Sequence, residues 1–171
     1  SAAQPVGNVF WFAAFWGIIY YTASTLLWPI FRRYQHHRPL SMLEAWPWIK
    51  SRFRKLVYEQ IEQDVEVRLV NDYSKRFYVV PLQVHNDAQV HVHSPYKSVV
   101  DFIQNVISSF VANAPQDTLL VIKHHPMDRG YHDYTDAIRQ LGIAYNAPDR
   151  ILYIHDQHLP TLLQHAAGVV L

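Results

Sequence analysis

Cysteine is absent from this chain of 171 residues, which excludes disulfide bonds, thiolate metal sites and cysteine nucleophiles. The formal net charge is +1 at pH 7, and this balance argues against a nucleic-acid binder, because neutralising phosphates requires a basic surface. The glycine-rich signatures of dinucleotide sites and P-loops are missing, as is the GxSxG signature of hydrolases. These absences turn attention to sites built from histidine, lysine and carboxylates.

The first 31 residues contain no charged side chain. Residues 9–31 are long enough to span a bilayer as a helix, and the cationic stretch RRYQHHR follows them. Hydroxyl-bearing side chains and Pro29 within this run favour instead a buried or surface-lying helix. The sequence therefore predicts an apolar helical arm over residues 1–31 and leaves open whether it crosses a membrane.

Residues 32–72 form a second segment, which is predicted to be helical, basic and aromatic. Between residues 32 and 55 there are seven lysines and arginines but a single acid, Glu44. Aromatic side chains lie between these cations: Trp46, Trp48 and Phe53. This mixture suits an anionic membrane surface, and it equally suits a solvated helix whose tryptophans pack inward.

From residue 73 onwards, apolar runs of strand length alternate with amphipathic segments. Strands are predicted in FYVVPLQV, DTLLVIK, RILYIHD and GVVL. Helices are predicted to begin at Ser94-Pro95, to end at Gly142, and to cover LPTLLQHA. This alternation predicts an α/β fold with a doubly wound parallel sheet over residues 73–171. Because GVVL breaks off in a predicted buried strand, we expect this domain to be truncated at its C-terminus.

Polar side chains follow three of the predicted strands, and ligands of doubly wound sheets bind at that edge. The three groups are Gln83, His85, Asp87 and Gln89; Lys123, His124, His125, Pro126 and Asp128; and His155, Asp156 and His158. Lysine and imidazole can neutralise and hydrogen-bond a phosphate ester, while proline fixes the shape of the turn. The alternatives are a solvated loop for the second group and an Asx-turn for Asp87.

A metal site is a weaker interpretation. His91 and His93 would project to the same side of an extended segment, as paired metal ligands do. A third ligand at convincing spacing is missing from the sequence around them. We therefore expect no metal.

Four sequence blocks then occur in a fixed order. They are HHRPL with a downstream W…RK..Y; VPLQVHNDAQV with SPY; KHHPMDRG; and LYIHDQHLPTLLQHAAGVVL. In this order they resemble the bacterial capsule polysaccharide biosynthesis and export family, of the KpsS/LipB type, over about residues 32–171. The resemblance implies a GT-B glycosyltransferase, of which residues 73–171 would form the Rossmann-like, C-terminal, nucleotide-sugar-binding half.

The resemblance also implies an activity. Such proteins are cytoplasmic and peripheral on the inner membrane, and they transfer Kdo from CMP-Kdo to a lyso-phosphatidylglycerol anchor without a cofactor. Lys123, His125 and Pro126 match the family's His-Pro motif and would hold CMP. Asp87 matches the proposed nucleophile of a retaining double displacement. Other capsule assembly and export proteins are the expected partners, and a non-catalytic component of the export assembly is the alternative.

The remaining candidates come from the same edge of the predicted sheet. We group Gln83 and His85 with Asp87 as catalytic residues, and Asp128 and His155 with the donor-binding residues. Two departures from the family pattern accompany the resemblance. The Ser/Thr-Gly loop that follows GVVL in the family is missing here, and the N-terminal Rossmann-like half is absent or reduced to the arm. We therefore expect the isolated chain to be inactive.

Overall fold

The computed structural model of the chain describes residues 10–27, 29–30, 42–84, 96 and 98–171. It contains two compact units, Ser1–Ile49 and Lys50–Leu171. The first unit contains helix α1, Phe10–Leu27, and helix α2, Met42–Ile61, runs from the first unit into the second. The domain boundaries predicted from the sequence, at residues 31 and 72, stay a prediction.

Helix α1 is apolar and largely exposed. Its side chains Trp11, Phe12, Phe15 and Trp16 are each more than half exposed. Within the described part of the chain, no helix combines the length and the apolar character that crossing a membrane requires.

The second unit is built on a parallel sheet of four strands. These are β1, Phe77–Pro81; β2, Leu119–Lys123; β3, Ile151–Ile154; and β4, Gly168–Val169. Their order is β3-β2-β1-β4, and β1 pairs with both β2 and β4 in parallel register. This confirms the predicted α/β fold with a parallel sheet. The order 3-2-1-4 is that of the first four strands of a Rossmann sheet.

Among the described residues, four helices cover the two faces of this sheet. They are α3, Val65–Asp72; α4, Val99–Asn113; α5, Thr135–Ala144; and α6, Leu159–His165. Short 3-10 helices occupy Pro126–Asp128 and Pro148–Arg150. Residues of α4 and α5 share a core with one face of the sheet, and residues of α3 and α6 share a core with the other. Strand β4 lies on the other side of β1 from β2 and β3. The right-handed connection from β3 to β4 therefore places α6 on the opposite face of the sheet from α4 and α5.

Strand alternation explains the two cores. Val80, Leu120 and Ile122 point to the face covered by α4, where they pack with the buried Ile103 and Ile107. The other face brings together Phe77, Val79, Val121 and Ile154 with Leu69 of α3 and Leu162 of α6. Strand β2 is buried at all five positions, as its uninterrupted apolar sequence predicts for a central parallel strand.

The predicted start of α4 at Ser94-Pro95 is wrong. The N-cap residue is Ser98, whose hydroxyl accepts a hydrogen bond of 3.1 Å from the backbone N–H of Asp101. Ser94 and Pro95 lie outside the described residues. Serine three residues before an acid is itself an N-terminal signal, and here it outweighs the serine-proline pair.

The predicted end of α5 at Gly142 is also wrong, since the helix continues to Ala144. A Cβ atom at position 142 would lie 3.3 Å from the Cα atom of Pro148, so glycine allows close approach between this helix and the following turn. The left-handed residue that reverses the chain is Asn146, with φ of 54°.

Candidate functional site

Lys123 ends β2 at the carboxyl edge of the sheet, in register with Pro81 and Ile154. Its side chain is buried, and its Nζ donates a hydrogen bond of 3.0 Å to the backbone carbonyl of His155. Burial lowers the pKa of Lys123, because desolvation penalises the charged form. Lys123 thus joins the ends of β2 and β3 through a cation that is withdrawn from solvent.

His155 is held by Glu62, which lies in the turn after α2. The two carboxylate oxygens accept the backbone N–H of His155 at 3.0 and 2.9 Å, and Oε1 lies 2.6 Å from the Nδ1 atom of its ring. The backbone N–H of Asp156 donates to the same carboxylate at 3.2 Å. Burial alone would raise the pKa of Glu62, but these hydrogen bonds outweigh it and lower the pKa below its ordinary value.

Aromatic rings enclose the imidazole of His155. Tyr58 of α2 stacks on it with ring centroids 3.6 Å apart and planes within 6°. Tyr153 meets it edge-on at 4.6 Å, and the ring of His124 lies 5.3 Å away. His155 therefore has a fixed position, although it sits in a loop.

His124 is the most deeply buried histidine of this edge, with 2 % of its surface exposed. Its Nδ1 atom lies 2.5 Å from the hydroxyl oxygen of Tyr153. Burial, helped by the neighbouring His155, lowers the pKa of His124 to about 4. The folded protein therefore holds His124 neutral at pH 7.

This burial predicts a loss of stability in mild acid. Between pH 6.5 and 4, His124 is protonated in the unfolded chain but stays neutral in the folded chain. The free energy of unfolding should therefore fall by about 3 kcal/mol as the pH drops through this range. His124→Asn should flatten this slope, as followed by urea unfolding at several pH values. His132→Asn, at an exposed histidine, is the control that should keep the slope. An unchanged slope in His124→Asn would contradict the assignment.

A second buried pair lies beside this cluster. Arg129 donates through Nη2 to Oδ1 of Asp156 at 2.5 Å, and both side chains are largely buried. Arg54 of α2 donates to the backbone carbonyl of Arg129 at 3.0 Å and pairs with Asp133 at 3.3 Å. Helix α2 is therefore bonded to the loops after both β2 and β3.

Three buried polar atoms at this edge have no hydrogen-bond partner among the described residues: Nε2 of His124, Nε of Arg129 and Oδ2 of Asp156. Buried polar atoms in folded proteins are nearly always paired, so each unpaired atom needs an explanation. Their concentration after two neighbouring strands marks the part of the molecule where a polar ligand or ordered water would complete the bonding.

The other predicted donor-binding residues surround the 3-10 helix after β2. His125 caps that helix, since its Nδ1 accepts the backbone N–H of Met127 at 3.2 Å. Pro126 begins the helix and is exposed. Asp128 is fully buried and accepts a hydrogen bond of 3.3 Å from the hydroxyl of Tyr134.

The predicted catalytic group is described in part. Gln83 is exposed, two residues after β1. His85 and Asp87 lie outside the described residues, as do Gln89, His91 and His93. The structure thus brings Lys123 and His155 together, and the roles assigned to the predicted site residues stay predictions. Across the described residues, no group of three or more histidines and carboxylates is placed to hold a metal ion.

Sequence reasoning missed Glu62 as part of this site. Its position in a charged helical stretch resembles that of a solvated residue, and its partners lie more than ninety residues away along the chain. Tyr58 belongs to the W…RK..Y block, so the block marked the stacking residue without indicating what it stacks on.

The sequence of the chain matches a known protein family. Residues 1–171 match the capsule polysaccharide biosynthesis protein family. The chain is 40% identical over 171 residues to the capsule polysaccharide export protein KpsS of Escherichia coli, covering 99% of this chain and 42% of that protein. It is 40% identical over 139 residues to the capsule polysaccharide modification protein LipB of Neisseria meningitidis serogroup A, covering 80% of this chain and 33% of that protein.

The serogroup B form of LipB matches to the same extent. No solved structure shows a significant match to the chain. The chain spans about two fifths of the length of KpsS and about a third of that of LipB. The match covers the strands of the sheet and the residues that follow β2 and β3. The chain belongs to the capsule polysaccharide biosynthesis family.

Proposed function

We propose that this chain forms the donor-binding part of a glycosyltransferase that transfers Kdo from CMP-Kdo to lyso-phosphatidylglycerol during capsule assembly. The observation that carries the proposal is the buried polar cluster at the carboxyl ends of β2 and β3, where Lys123 bonds to His155. Doubly wound sheets bind nucleotides at this edge, and a GT-B enzyme uses such a sheet for its sugar nucleotide. The fold alone supports many functions, so the side chains of the edge decide.

In the proposed reaction a carboxylate attacks the sugar and a cation stabilises the leaving group. The Asp87 carboxylate would attack C2 of Kdo while the bond from C2 to the CMP phosphate oxygen breaks. Lys123 would stabilise the anionic CMP that departs. An acceptor hydroxyl would then attack C2, lose its proton to a base, and release the carboxylate.

This proposal is tested by incubating the full-length protein with CMP-Kdo and lyso-phosphatidylglycerol in metal-free buffer and detecting the Kdo-lipid by mass spectrometry. We expect product from the wild type and none from Asp87→Asn, which lacks the nucleophilic oxygen. Asp136→Asn is the matched control, because Asp136 is exposed and pairs with Arg139 on α5. Wild-type product formation by Asp87→Asn would remove Asp87 from the mechanism, and loss of activity with a chelator would revive a metal site.

We also propose that the outer side of α2 contacts the membrane that holds the lipid acceptor. Four apolar side chains at helical spacing are exposed on residues 50–61: Phe53, Leu56, Val57 and Ile61. The cations Lys50 and Arg52 belong to the same stretch, and apolar and basic side chains together favour an anionic interface.

Vesicle binding tests this surface. The double variant Phe53→Ser/Ile61→Ser should bind vesicles containing phosphatidylglycerol at least about tenfold more weakly, because it removes two large apolar contacts. Sedimentation with phosphatidylglycerol and with phosphatidylcholine vesicles measures the difference. Ile143→Ser removes an equally exposed apolar side chain from α5 and should bind as the wild type does. Equal binding by the double variant, or indifference to anionic lipid, would refute the membrane contact.

A non-catalytic role in export is the second candidate, and it is favoured by the printed name of the relative from Escherichia coli, an export protein. Under this alternative the full-length protein would bind other capsule proteins but release no Kdo-lipid in the assay above. A buried lysine and two buried imidazoles converging at a ligand edge favour the enzyme, because a scaffold gains nothing from their burial.

A further inference from the structure

Glu62 is bonded to the loop after β3 through both its side chain and its backbone. Its carboxylate accepts two backbone N–H groups, from His155 and Asp156, and also lies 2.6 Å from the ring nitrogen Nδ1 of His155. The backbone carbonyl of Glu62 accepts the side-chain amide of Gln157 at 2.8 Å. With 6 % of its surface exposed, this carboxylate is committed to the loop.

The contact to the ring fixes the tautomer of His155. An ionised carboxylate can only accept a hydrogen bond, so the proton between the two groups belongs to Nδ1. In the neutral ring, Nε2 then carries a lone pair and acts as an acceptor. Hydrogen bonding at one ring nitrogen sets the role of the other in this way.

Neighbouring aromatic rings hold the imidazole of His155 in one orientation. The stacked ring of Tyr58 and the edge of Tyr153 prevent rotation of the imidazole. His155 is buried, with 6 % of its surface exposed, and its ring is bonded through Nδ1 to Glu62. Lys123, the cation assigned to the donor phosphate, donates to the backbone carbonyl of the same residue.

We infer that Glu62 is a positioning residue, which holds His155 as the Nδ1–H tautomer so that Nε2 accepts a hydrogen bond from the nucleoside of the bound nucleotide. The proposed function supplies the identity of the nucleotide, CMP, and the inference rests on it to that extent. A hydroxyl or amino group satisfies a neutral acceptor, whereas an unprotonated phosphate, which has no proton to donate, does not. His155 thus recognises the nucleoside, and Lys123 recognises the phosphate.

Glu62→Gln tests this assignment in the full-length protein. The amide can keep the backbone N–H groups on its oxygen, but its NH₂ group then faces Nδ1 and favours the Nε2–H tautomer. Side-chain ¹⁵N NMR of His155 should show Nδ1–H in the wild type and Nε2–H in the variant. The dissociation constant for CMP should rise about tenfold, the lower end of the usual effect of removing an orienting partner. The affinity for inorganic pyrophosphate should not change.

Glu59→Gln is the matched control. Glu59 lies one turn earlier on α2 and pairs with Lys55 at the surface, so neither the tautomer nor CMP affinity should change. If Glu62→Gln unfolds, His155→Asn replaces it, because the Asn amide can still donate to Glu62 while lacking Nε2. His155→Asn should bind CMP at least about tenfold more weakly with an intact fold.

Several outcomes would overturn the inference. An Nε2–H tautomer in the wild type would refute the role of Glu62, and so would CMP binding at wild-type strength by Glu62→Gln after the tautomer has changed. Equal weakening of CMP and pyrophosphate binding would refute nucleoside recognition. A wild type that binds no CMP would refute the proposed function and the nucleoside contact together, and the NMR measurement would then decide the positioning of His155 separately.

Discussion

Replacing Phe77 by alanine is expected to lower the free energy of unfolding by about 3–5 kcal/mol, which is the usual cost of truncating a buried phenylalanine. Phe77 is fully buried at the start of β1 and packs with Val79, Leu119 and Leu69 in the core beneath α3 and α6. The chain there cannot collapse into the space left behind, because strands on both sides hold β1 in register. Urea unfolding followed by circular dichroism measures the change.

Phe53→Ala is the matched control for this experiment. The same ring is removed, but Phe53 is 67% exposed on α2, so the free energy of unfolding should change by less than about 0.5 kcal/mol. A similar loss in both variants would mean that the outer side of α2 is covered in the folded protein. A small loss in Phe77→Ala would contradict the packing of α3 and α6 against this face of the sheet.

If the full-length protein performs the proposed Kdo transfer, replacing Lys123 by methionine is expected to reduce turnover by about 10²- to 10³-fold, the usual effect of removing one charge-stabilising donor. Methionine keeps the apolar stem and removes the ammonium group that donates to the carbonyl of His155 and would stabilise departing CMP. Because the lysine charge is buried and its pKa is already lowered, its removal should leave the protein folded. Initial rates at saturating CMP-Kdo measure the effect.

Lys75→Met separates this effect from the loss of a lysine that bonds to the backbone. Lys75 also donates through Nζ to carbonyl oxygens, those of Gln164 and Ala166, but it is exposed and precedes β1. Its turnover should match that of the wild type. If Lys123→Met also turns over at the wild-type rate, the leaving-group role of Lys123 is wrong.

The sheet was predictable from the sequence because each strand and helix is specified by residues that are close together in the chain. The continuous apolar run of β2 predicts burial on both faces, and the spacing of Ile103, Ile107 and Phe110 predicts the inner face of α4. Boundaries were less predictable, since a serine at either 94 or 98 can begin a helix. In the described helix the cap is Ser98, whose hydroxyl accepts the backbone N–H of Asp101.

The candidate site was predictable where it follows the strands and unpredictable where it depends on contacts between distant segments. The rule that parallel strands bring their carboxyl ends together selected Lys123 and His155. Glu62 carries no local sign of its role, because a glutamate after a charged helix is usually solvated. Its importance arises when α2 lies against the loop after β3, and nothing within a few residues of Glu62 encodes that arrangement.

If α2 contacts a membrane as proposed, the bonds on its inner side limit how deeply the helix can enter the lipid interface. Tyr58 and Glu62 attach the helix to the loop after β3, and Arg54 attaches it to Arg129. Extracting the helix would strand a buried carboxylate, so under the proposed membrane contact only the outer side chains of α2 would enter the bilayer. Contact at Phe53 and its neighbours would therefore set the distance between the carboxyl edge of the sheet and the lipid headgroups.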